Sequence, residues 1–218
     1  MSRRTGKPSY LLARPDNRRR LVAVGVGLVA AAVLLGGGIG YGVGRPDATE
    51  ASIADMRRAE TERDVQQIAD LTALARQTRD QLSPILTALR PDGPAPDPAQ
   101  ARQWQQTMRT VAEPFANPPS GSTATNVARG GLRSAVDQAA VAVDAYALAA
   151  ESPAANRKAL TDIAVRQATL AATTWSVAAT QLDQINIDAG HGHQHVYLDT
   201  GQDGGAFTPD HAPEGTGG

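Results

Sequence analysis

Cysteine is absent from the 218 residues. Disulfides, thiolate metal sites and acylation of a lipoprotein cysteine are therefore excluded in any compartment. Aromatic residues make up only 4%. Few runs alternate aromatic or β-branched residues at period two, which argues against a sheet protein. Lysine occurs twice, as Lys7 and Lys158, and neither lies in a phosphate-binding loop. Histidine is missing before residue 191, so the body of the chain lacks an imidazole base, a haem ligand of that type and a His-x-x-x-His zinc pair. None of Glu50, Glu60, Glu62, Glu113, Glu151 and Glu214 is followed by histidine three positions on, as an inward-facing di-iron bundle site requires. No catalytic motif emerges, and we expect a protein that is not an enzyme.

What the chain does have is alanine and aliphatic residues at helical spacing, within an apolar content of 41%. Charge is segregated. Residues 1–20 carry Arg3, Arg4, Lys7, Arg14, Arg18, Arg19 and Arg20 against Asp16 alone, a balance of +6 that leaves −7 downstream for a net charge of −1. An acidic body opposes phosphate contacts, so no nucleic-acid partner is expected. Arginine outnumbers lysine nineteen to two, a usage associated with bacteria of high GC content.

Residues 21–44, "LVAVGVGLVAAAVLLGGGIGYGVG", contain no charged side chain. As a helix this run would be roughly 35 Å long, enough to cross a hydrocarbon core of ~30 Å. The arginine cluster before it places the N-terminus in the cytoplasm and the acidic remainder outside; it also suits anionic headgroups of the lipid bilayer. A cleaved signal peptide is the competing reading. Against it, Arg45-Pro46 stands where a small-residue cleavage site is wanted, and the segment is read as an uncleaved anchor in the cell membrane. Gly36, Gly40 and Gly44 recur every fourth residue, a spacing that lets transmembrane helices pack closely and suggests self-association or a partner in the membrane. "GVGLVA" at 25–30 matches the dinucleotide fingerprint in letters only, because it follows arginines rather than a strand.

Past Gly44-Arg45-Pro46 the pattern predicts four helices. The first starts near Ala48 as a charged stalk and tightens from Val65 into a seam of Ile68, Leu71, Ala75, Thr78, Leu82, Ile85 and Leu89. Pro84 should kink or shorten it. "PDGPAPDP" at 91–98 is a stiff loop, with Asp97 as N-cap and Pro98 in the first turn. The second helix shows Ala101, Trp104, Met108, Val111 and Phe115, and ends around Pro114. The third shows Leu132, Ala135, Ala139, Val143, Tyr146 and Ala150, with Gly130-Gly131 weakening its first turns. Ser152-Pro153 would start the fourth, whose apolar face reads Leu160, Ile163, Leu170 and Val177, flanked by Ala164, Ala168, Ala171, Trp175, Leu182 and Ile185. Trp104, Trp175, Met108 and Tyr146 are read as core rather than as a cofactor box.

The expected architecture is all-α: a transmembrane helix, then an extracytoplasmic antiparallel four-helix bundle, then a flexible tail. The expected divisions are a basic tail at 1–20, the membrane helix at 21–44, a stalk at 45–64, the bundle at 65–187 and a His/Gly/Pro-rich tail at 188–218. In that tail "GHGHQH" holds His191, His193 and His195, with His211 beyond. In extended chain alternate histidines share a side, about 7 Å apart. A His-x-His pair can chelate Zn²⁺, Cu²⁺ or Ni²⁺, and Gly192 permits a bend to bring in a third ligand, with Asp188, Asp199 and His211 as extras. The bland alternative is a disordered terminus whose histidines do nothing. In an up-down-up-down bundle the tail returns toward the bilayer and a membrane partner. Two functions are carried forward: a tethered structural or protein-interaction subunit, and a metal-binding accessory or sensor using the histidines.

Overall fold

A computed structural model describes Val33, residues 48–199 and residues 213–215. The expected membrane segment with Gly36, Gly40 and Gly44, and the candidate ligand His211, lie outside the described residues. Among the described residues there is no strand, and no helix is long and apolar enough to cross a membrane. The chain divides into Met1–Met56 and Arg57–Gly218; in the first, Ile53 and Met56 are exposed. The packing below belongs to the second.

The described helices are α1 (Ala48–Ala88), which enters this unit at Arg57, α2 (Pro98–Ala112), α3 (Thr123–Glu151) and α4 (Ala154–Asp188). A 3₁₀ turn, Glu113–Phe115, extends α2 and holds Pro114. All seven seam residues, six within α1 from Ile68 to Ile85 and Leu89 just past its end, are buried, so the three-and-four spacing does select the core face. Pro84 neither stops nor shortens α1, which runs on to Ala88. Pro84 and Asp80 sit on the exposed side, where the carbonyl that proline cannot bond is open to water. In α2, Ala101, Met108, Val111 and Phe115 are buried as the spacing predicts. Asp97 caps the helix by accepting the Ala99 N–H at 2.9 Å, with Pro98 next.

Ser122 caps α3 through Oγ, which accepts from the Thr125 N–H. Asp64 on α1 braces that start, accepting from the Ser122 N–H at 3.0 Å and the Thr125 hydroxyl at 2.9 Å. Burial alone would raise the Asp64 pKa. The bonds from Ser122 and Thr125, with the Arg129 charge nearby, outweigh it and hold the carboxyl below its ordinary value of 3.8. Arg129 itself is buried and donates to Pro119 O and to the side chains of Asn126 and Gln67. These contacts pair Asp64 with Thr125 and Gln67 with Arg129, so α1 and α3 run in the same direction. At the other end of α3, Tyr146 is buried against Trp104, ring centroids 5.0 Å apart, and its hydroxyl donates to Ala95 O at 3.1 Å. Burial raises its pKa; the Asp97 N–H it accepts works the other way, and the Asp97 charge adds to the rise.

The α3–α4 hairpin departs from the sequence reading in two respects. Ser152 closes α3 in extended conformation, and Pro153 rather than Ser152 is the N-cap of α4. More consequentially, the α4 core face is Ala164, Ala168, Ala171, Trp175, Ala178, Leu182 and Ile185, while Ile163, Leu170 and Val177 are exposed. Small residues win the core here because α3 and α4 lie close together. A Cβ on Gly131 would fall 2.8 Å from the Ala178 Cβ, a separation at which bulkier α4 side chains are excluded.

Candidate functional site

The region of chemical interest is the C-terminal end of α4 and the segment that follows it. The helix ends on Gly190, whose φ of +81° is open to glycine at little strain. The His191 N–H bonds Asn186 O and the Gly190 N–H bonds Ile187 O, the paired closure of a Schellman motif. That left-handed step turns the chain back, and Gly192, with φ +69°, turns it again.

Of the flexible tail expected at 188–218, residues 188–199 and 213–215 are described, and there the expectation is corrected. Residues 191–198 are not loose chain but a strap packed on the bundle. Val196 is fully buried, and its carbonyl accepts the buried Trp175 indole N–H at 2.7 Å. Tyr197 OH shares a hydrogen bond with the Thr180 hydroxyl at 2.9 Å. Arg79 on α1 donates to His195 O, and Arg76 donates to the Gln194 side chain. Glu214 accepts the His195 N–H at 3.0 Å and lies 3.8 Å from Arg76. An apolar valine and a waiting indole N–H explain why this polar, histidine-bearing stretch is held, since an unmade buried hydrogen bond is expensive.

The strap sorts the three described candidate histidines. His191 Nδ1 faces Asn186 Oδ1 at 3.2 Å, away from the other two. Asn186 also donates to Thr72 Oγ1 and Leu182 O, tying α1 to α4. His193 and His195 converge instead on Asp183 of α4. The Asp183 Oδ2 is 3.1 Å from His193 Nδ1 and 3.9 Å from His195 Nε2, and one donor atom of each residue lies within 4.8 Å of the others. Asp183 Oδ1 accepts the Gln194 N–H. The three side chains are 11%, 18% and 15% exposed for Asp183, His193 and His195 respectively. Asp188, named from sequence as an extra ligand, instead accepts from Gln184. Asp183 was missed. Its signal in the sequence is a carboxylate wedged between the core positions Leu182 and Ile185.

Two further features complete the surface. A polar cleft of about 420 Å³ opens beside Glu60, Asp64, Gln67 and Ser122. Asp64, Gln67 and Ser122 among its groups are engaged at the start of α3, as with Gln67 donating to Ser120 O. The outer side of the α3–α4 hairpin is apolar. Val127, Val141 and Leu148 on α3, and Ile163, Leu170 and Val177 on α4, are 37–57% exposed. On each helix they share one heptad position, immediately before a buried alanine. The Thr174 hydroxyl donates to Gln138 Oε1 at 3.1 Å, which sets the hairpin register. In that register Val141 is level with Leu170 and Leu148 with Ile163. Gln138 and Thr174 precede these stripes by the same three residues on antiparallel helices, so both stripes flank one side of the groove.

Compared with known protein families, curated proteins and solved structures, the chain matches none.

Proposed function

We propose that this protein is a membrane-tethered helical bundle that works by association, as a structural or interaction subunit, rather than by catalysis. The tether is the uncharged run at 21–44, oriented by the arginines before it, with the N-terminus cytoplasmic and the bundle displayed outside the cell. The observation that carries the reading is the paired apolar stripe on α3 and α4. Val141 beside Leu170 and Leu148 beside Ile163, extended by Val177 on α4, form an exposed patch of the kind that marks an interface, whereas scattered single residues do not.

The occupant we assign is a second copy of the chain. Heptad spacing is the spacing at which helices pack along a shared seam. The rims are complementary too. Arg166 edges the α4 stripe, and the α3 stripe is edged by Asp137, paired with Arg133, and by Asp144, one of whose oxygens accepts from Gln105 of α2. A two-fold axis along the hairpin lays the α4 of one copy over the α3 of the other and brings Arg166 level with Asp144 of the second copy. Gly36, Gly40 and Gly44 offer a matching close-packing surface within the bilayer.

The chain has no cysteine, so single introduced cysteines test this in native membranes. Leu170→Cys chains mixed with Val141→Cys chains should form a disulfide-linked dimer under mild oxidation, whereas Arg109→Cys chains, altered on exposed α2, mixed with Val141→Cys chains should not. In the purified full chain, Leu170→Asp should weaken the dimer at least about tenfold by sedimentation, as for a central interface residue. A monomeric parent chain, or equal crosslinking at both positions, overturns the second-copy assignment. Crosslinking of Leu170→Cys to a different protein replaces that occupant.

A further inference from the structure

We propose that Asp183, His193 and His195 form a binding site for one divalent transition-metal ion, with zinc the best fit. This goes beyond association and stands without it. The donor set decides the class of ion. Two imidazoles and one carboxylate suit Zn²⁺, Cu²⁺ or Ni²⁺, whereas Ca²⁺ and Mg²⁺ take all-oxygen shells and Cu⁺ prefers sulfur.

The spacing points to the same conclusion. Donors about 2.0–2.1 Å from a tetrahedral zinc are about 3.3 Å from one another. Here the carboxylate oxygen is 3.1 Å and 3.9 Å from the two imidazole nitrogens, and all three atoms fit within 4.8 Å. Bringing the donors from separations of up to 4.8 Å to about 3.3 Å takes at most about 1.5 Å of movement, shared between the two imidazole rings. An ion held by three protein groups keeps a fourth position for water or another ligand.

The surroundings hold the donors in place before any ion arrives. Asp183 is fixed on α4, and its second oxygen accepts the Gln194 N–H between the two histidines, the kind of outer contact that orients a ligating carboxylate. The strap on either side is pinned by Trp175 to Val196 O and by Arg79 to His195 O. A simple clasp of the strap requires only the His193–Asp183 contact. Convergence of His195 on the same carboxylate oxygen is what a metal site adds.

The test uses the purified full chain, stripped with chelator. Calorimetric titration with Zn²⁺ should give one ion per chain with a Kd below about 1 μM, and Co²⁺ should develop visible absorption with the same stoichiometry. Asp183→Asn, His193→Ala and His195→Ala should each weaken binding at least about tenfold. His191→Ala, whose ring faces Asn186, should leave it unchanged. Circular dichroism checks the fold of each variant; should Asp183→Asn fail to fold, His195→Ala carries the test alone. A Kd above that threshold overturns the proposal. So does binding that survives His195→Ala but falls with His191→Ala, the mark of a loose histidine tract.

Discussion

Asp64 is a surface-facing acid whose influence reaches two elements, because it satisfies the first donors of α3 from a position on α1. Its pKa in the fold is below 3.8, and the unfolded chain keeps the ordinary value. The stability it contributes is therefore complete above that value and is lost as pH falls through the folded value. We expect Asp64→Ala to destabilise the bundle by about 1–2 kcal/mol at neutral pH. The gap between variant and parent should close as urea melts are repeated from about pH 5 down to about pH 2; a gap constant across that range refutes the assignment. Residues of this kind were hard to read from sequence. Asp64 looked like one more charge on a stalk, and Asp183 like one more acid on a helix, because each matters through a partner more than ten residues away or across a turn. Periodicity detects which face is apolar and is blind to what a lone polar residue meets.

Within the helices, spacing alone found most of the core. The α1 seam and the α2 face are apolar on one side only, so the three-and-four pattern has a single solution there. In α4 the pattern has two solutions. Leu160, Ile163, Leu170 and Val177 form one stripe and the alanines with Trp175 form another, and hydrophobicity favours the wrong one. The choice is made where α3 and α4 come close, as at Gly131, which faces Ala178 across a gap that no larger α4 side chain would fit. Its neighbour Gly130 meets nothing within 4 Å. The pair therefore makes an internal comparison inside α3. Gly130→Ala should stabilise by about 0.5–1 kcal/mol through helix propensity. Gly131→Ala should instead be destabilising, by about 1–3 kcal/mol, through overpacking against Ala178. Thermal or urea unfolding reads both, and equal effects at the two positions rule out the close approach.

For the whole molecule, the proposal is a bundle displayed on one side of a membrane by a tether. Absence of native cysteine again makes the measurement clean. Asn117→Cys, in an exposed loop, should react with an impermeant thiol reagent on intact cells, while Ser9→Cys should react only after lysis. The reverse pattern removes the tether orientation and with it the extracytoplasmic site of association. Among the described residues, the amino-acid order by itself determined the all-helical class, the four helices after residue 47 and the buried faces of α1 and α2, because local propensity and periodicity act within a few residues of one another. Only tertiary structure decided which stripe of α4 faces inward, which histidines meet, and that the segment after Gly190 is a strap. Those outcomes rest on Gly131 against Ala178, Trp175 against Val196, and Asp183 against His193 and His195. Each is a contact whose distance in space is set by the packing of whole helices, and no local pattern encodes it.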